Sequence, residues 1–134
     1  MTIYITRNLT DEAIAELSEF DAFRLAEELL EDSDPRDAAR VLRSVVASSP
    51  RNAAAWELLG RAYFAAALLP RAESAFRTLI DLEPTNGWAH LALARTLDRA
   101  NRKDEAATFR RLAEAMGATG SRASRVELTD GAGL

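Results

Sequence analysis

The stretch Ala53–Asn86, AAAWELLGRAYFAAALLPRAESAFRTLIDLEPTN, decides the fold. In its first half Trp56, Leu59, Tyr63 and Phe64 recur three and four apart, the spacing of one face of an α-helix. Pro70 and Pro84 stand at the edges of helical runs, where proline is tolerated in a first turn or ends a helix. The stretch is 34 residues long, and its spacing recurs on both sides. Moving back by that period puts Ala22, Leu25, Ala26, Leu29, Ala38, Leu42 and Pro50 at the places of Trp56, Leu59, Gly60, Tyr63, Ala72, Phe76 and Pro84. Moving forward gives His90, Leu93, Ala94, Leu97 and Ala106. The register thus runs through 19–52, 53–86 and 87–118 without an insertion. It predicts helices near 21–32, 36–48, 53–67, 71–82, 87–100 and 103–116.

Gly60, Ala26 and Ala94 are small where the two helices of a unit would cross, with Ala72, Ala38 and Ala106 opposite them. Trp56, Tyr63 and Phe76 fill the wider spaces beside the crossing. A single unit cannot bury its apolar stripe alone, so neighbouring units must stack into one core. Over about three quarters of its length the chain resembles the tetratricopeptide-repeat family, whose pattern W-x2-L-G-x2-Y…A-x3-F…P the central unit reproduces. The resemblance implies an all-α, right-handed superhelical solenoid of three helix-turn-helix repeats. The last unit departs from the pattern, since Arg110 stands at the aromatic position and Phe109 one residue earlier.

Outside the repeats, residues 1–18 form an extension in which Thr10, Asp11 and Glu12 predict an N-capped lead-in helix reaching about Ser18. Met1–Thr6 reads as a short strand or extended chain. The tail from Gly117, and with it all of 119–134, is rich in Gly, Ser, Thr and Ala and is expected to be disordered.

The 134 residues carry 21 acids and 17 bases, a net charge of −4. That total hides a division: residues 1–34 hold ten acids and two bases, and 35–134 hold eleven acids and fifteen bases. Overall acidity argues against nucleic acid as a partner. No apolar run approaches the length of a membrane helix, and no signal peptide is expected, so the chain reads as cytoplasmic. Every base but Lys103 is Arg, and alanine is frequent; both follow from GC-rich codons, which points to a small bacterial protein.

Catalysis finds no foothold. Cysteine is absent, His90 is the one histidine, and no phosphate-binding glycine loop, HExxH or GxSxG occurs. His90 falls on an inward helix position and reads as a packed residue; no catalytic residue, metal or cofactor is expected.

The resemblance implies instead a concave surface lined by the first helix of each unit. Its ligand-facing positions correspond here to Phe20, Phe23, Glu27, Leu30 and Glu31, then Ala54, Glu57, Arg61, Phe64 and Ala65, then Trp88, Leu91, Arg95, Asp98 and Arg99. Two rows cross the units, Glu27–Arg61–Arg95 and Glu31–Ala65–Arg99, each running from acidic to basic. Such a surface suits an apolar peptide or helix of another protein carrying a carboxylate. The bland alternative is that Glu27 pairs with Arg61 while Phe20 and Trp88 pack at helix starts. Phe23 and Glu27 occupy two places where chaperone-binding members carry a carboxylate clamp, so that ligand is not expected.

A second surface is the last helix. Phe109, Leu112 and Met116 lie three and four apart, and no capping helix is expected after them. Left exposed, they would form an oligomer surface; turned inward, they would leave Arg110, Arg111 and Glu114 outside. The favoured function is a non-catalytic adaptor. The alternative is a structural protein that self-assembles through this helix and its oppositely charged ends.

Overall fold

The computed structural model describes residues 9–118. The short strand or extended chain expected at Met1–Thr6 and the disordered tail expected over 119–134 lie outside the described residues. Among the described residues seven helices follow one another: α1 Asp11–Ala15, α2 Glu19–Glu31, α3 Pro35–Ser48, α4 Ala53–Ala65, α5 Leu69–Leu82, α6 Gly87–Arg99 and α7 Lys103–Ala115. Helices α2 and α3, α4 and α5, and α6 and α7 pack as antiparallel pairs, and each pair stacks on the next through α3–α4 and α5–α6. Among the described residues there is no strand. No described helix is long and apolar enough to cross a membrane.

The 34-residue period is set by local chemistry at both ends of each first helix. Ser18, Asn52 and Asn86 are spaced by that period, and each accepts a hydrogen bond through its side chain from the backbone N–H three residues on. These N-caps satisfy donors that the first turn leaves unpaired. Ser18 therefore starts α2 two residues earlier than expected, and the lead-in helix stops at Ala15. At the other end, Ser33, Ala67 and Asn101 adopt left-handed φ values of 63°, 61° and 64°. The next N–H groups, of Asp34, Leu68 and Arg102, bond to the carbonyls of Leu29, Tyr63 and Leu97. This is the Schellman geometry that glycine usually fills; an L-residue in it costs roughly 1–2 kcal/mol.

The crossing inside the central pair is tight, but the side chain nearest Gly60 is Phe76 and not the expected Ala72. A methyl group added to Gly60 would lie 2.4 Å from the Phe76 ring, which is wholly buried. Ala26, Ala38, Leu42, Ala94 and Ala106 are also completely buried, so the crossings join into one core along the array. At the C-terminal end Ala118 returns to the start of α6, where a Cβ on Gly87 would meet it at 2.7 Å.

Candidate functional site

The first helices place their outward residues in adjacent rows, α2 touching α4. Phe20 is exposed, as are Glu27, Glu31 and Arg99, while Phe23, Glu57, Arg61, Leu91 and Arg95 are half-buried. Two expected anchors are not on this surface. Phe64 is wholly buried, with the Arg99 guanidinium 4.9 Å above its ring. Trp88 is 2 % exposed, and its ring meets that of Phe76 edge-on at 5.8 Å. Both rings therefore serve inter-repeat packing, where they bury far more apolar area than a groove wall allows.

Among the described residues Glu27 and Arg61 form no ion pair, and neither Arg61 nor Arg95 has a carboxylate within pairing distance. The Nε of Arg61 is buried and has no hydrogen-bond acceptor. A buried donor left unmatched is costly, and this one is closed off from the surface, so only the terminal guanidinium nitrogens of Arg61 can face a bound group.

The last helix divides its stripe. Phe109 is partly covered, lying 5.3 Å beneath the Arg77 guanidinium and 6.1 Å from the His90 ring. Leu112 and Met116 remain 39 % and 37 % exposed. Several bases of the C-terminal half are already engaged. Arg102 bonds to Glu73 and Glu105, both at 2.6 Å, and Arg110 pairs with Asp98. The Arg102 guanidinium holds the Glu105 carboxyl below its ordinary range. At the other end of the array, Ser49 and Asn52 each donate to Glu19 at 2.7 Å and lower its pKa. His90 is buried with its Nδ1 3.0 Å from the Asn86 carbonyl oxygen, as a packed histidine should be. Among the described residues no group of acids and histidine is arranged to hold a metal.

The tetratricopeptide-repeat profile matches residues 23–87 and 68–121. The chain belongs to the tetratricopeptide-repeat family. No curated protein matches it. Among solved structures, a MamA point mutant aligns with a TM-score of 0.74 and 19 % identity over 86 % of this chain and 90 % of that one. A MamA fragment from Desulfovibrio magneticus RS-1 gives 0.71 and 24 % over 90 % and 75 %. The crystal structure of MamA gives 0.71 and 19 %, covering 75 % of this chain and 58 % of its own, so the chain spans less than two thirds of that protein. At these identities the likeness shows the fold, an all-α tetratricopeptide solenoid. Members of the family are protein-interaction modules.

A tetratricopeptide array also has an outer side, built by the second helix of each pair. Here a cleft of about 770 Å³ opens between the first two repeats, lined among others by Arg43 and Val46 of α3, Trp56 and Tyr63 of α4, and Arg71 and Ala75 of α5. Sequence reading passed over it because the family pattern directs attention to the inner surface. The signal was nonetheless present: one repeat later, Phe109 stands where Ala75 does here.

Proposed function

We propose that the chain is a non-catalytic adaptor that holds a peptide or helix of another protein against its inner surface. The observation that carries this reading is the Arg61–Arg95 row, in which neither guanidinium forms an ion pair among the described residues. A carboxylate of a bound segment supplies a partner to the terminal nitrogens of Arg61, and Arg95 continues the row one repeat further. Glu27 and Glu31 make the first repeat acidic, so the bound segment is basic at that end and acidic at the other. Stacked helices present these groups already ordered, which limits the entropy lost on binding. On this reading the protein is cytoplasmic, uses no cofactor, and engages neither nucleic acid nor membrane. A pull-down comparing wild type with Arg61→Glu/Arg95→Glu tests it: the partner is expected to be lost from the variant, and equal retention contradicts the reading.

A second reading, self-assembly through α7 and oppositely charged ends, draws support from the exposure of Leu112 and Met116. The internal pairing of Arg102 and Arg110 weakens it, because those charges are already matched. Insensitivity of the sedimentation coefficient to concentration and salt would rule it out.

A further inference from the structure

The outer cleft between the first two repeats has a counterpart inside the same molecule. Adding one period to Arg43, Trp56, Arg71 and Ala75 gives Arg77, His90, Glu105 and Phe109. In that second cleft the Phe109 ring lies under Arg77 and beside His90, and the Glu105 carboxylate stands 3.8 Å from the Arg77 guanidinium. One aromatic ring and one carboxylate fill it. The first cleft lacks both: Ala75 replaces the ring and Arg71 replaces the carboxylate. Among the described residues neither Arg43 nor Arg71 has an acid within pairing distance, and no acid lines the cleft. Arg71 already lies 6.0 Å above the Tyr63 ring, but neither guanidinium has an acid, and two such cations beside an apolar floor call for an aromatic ring accompanied by negative charge.

The chain itself carries that combination elsewhere. Phe20 is 68 % exposed, the most exposed large apolar side chain among the described residues. Its neighbourhood in sequence, residues 11–34, holds ten acids and one base. Phe20 belongs to α2, and no residue of α2 lines the cleft, so the two do not meet within one copy.

We infer that the outer cleft is the docking site for Phe20 of a second copy of this chain. The ring sits against Trp56 and Tyr63, and the exposed carboxylates of Glu16 and Asp21 meet Arg43 and Arg71. The contact joins two different patches, so it is heterologous and either closes into a ring or propagates. It shares only Phe20 with the inner-surface reading and stands or falls separately from it.

Sedimentation velocity of the full chain at low salt, from about 1 to 100 μM, tests the inference. Wild type is expected to show a sedimentation coefficient that rises with concentration and falls back as salt is added. Phe20→Ala and Arg43→Glu/Arg71→Glu should each remain monomeric, and Arg61→Glu/Arg95→Glu should assemble like wild type. An equimolar mixture of the first two should give a species of two chains and nothing larger, because one intact ring then meets one intact cleft. All three positions are exposed, so the fold should persist; circular dichroism checks this, and Arg43→Gln/Arg71→Gln is the milder replacement. A wild type that stays monomeric, a cleft variant that still assembles, or a mixture that does not pair overturns the inference. Loss of assembly in the Arg61→Glu/Arg95→Glu variant alone would also overturn it, by placing self-association on the inner surface. The pull-down result bears on neither outcome.

Discussion

The two outer clefts of this molecule share a backbone and differ in what fills them. Between repeats two and three, Phe109 occupies the space, and Arg77, Glu73, Arg102 and Glu105 close over it as a network of alternating charge. Between repeats one and two the equivalent space is open, with Arg43 and Arg71 at its edge. The comparison teaches that the period fixes where helices lie, while single side chains decide whether a junction is sealed or available. A sealed junction buries its apolar faces inside the array. An open one is a surface.

The comparison can be broken most forcefully where a residue has no freedom. Gly60→Ala should cost roughly 3 kcal/mol or prevent folding, because its methyl would overlap the buried Phe76 ring and overpacking is expensive. The thermal midpoint reports it. The first and third repeats carry alanine at this place, so the penalty belongs to the central pair. Phe109→Ala, which turns the sealed cleft into an open one, should cost about 2–3 kcal/mol, the lower side of a buried Phe-to-Ala change because the ring is partly covered. Urea unfolding that showed no loss would mean that Phe109 seals nothing. Smaller still, Ala67→Gly should stabilise the chain by about 1 kcal/mol, relieving a left-handed alanine at a turn that both neighbouring repeats share. A lowered melting temperature would contradict the turn geometry.

The weakest effect concerns pH. Glu19 and Glu105 have folded pKa values below the ordinary 4.5, the first through hydrogen bonds from Ser49 and Asn52, the second through Arg102. Their stabilisation is complete above that value and is lost as pH falls through the lowered folded values. Glu19→Gln and Glu105→Gln should each flatten the acid side of the stability profile, the first at the junction of repeats one and two and the second at the sealed cleft. Acid titration of the melting temperature in each variant measures this; an unchanged slope would show that the pairing does not persist in solution.

Much of this was legible in the sequence. The register, the three pairs and the packed His90 all follow from apolar spacing and residue size, whereas the ring of Phe76 against Gly60, in place of the expected Ala72, does not. The start of α2 was not, because Ser18 acts through a hydroxyl cap that hydrophobic periodicity does not record. Phe64 and Trp88 were expected on the inner surface from family positions, but partners particular to this chain, Arg99 and Phe76, draw them into packing. The slipped Phe109 read as a flaw in the last helix. Only its placement beneath Arg77 shows what the slip achieves, and only then does Ala75 read as the absence of a ring.

The equivalence of the two clefts is tested most directly by rebuilding the second in the first. Ala75→Phe with Arg71→Glu supplies the ring and the carboxylate that the open cleft lacks, and the midpoint of thermal unfolding reports the outcome. Cavity filling and a new pair with Arg43 should raise stability by about 1 kcal/mol, within the usual range for such changes. If the clefts are not equivalent, the added ring will overpack α5, and the midpoint will fall instead.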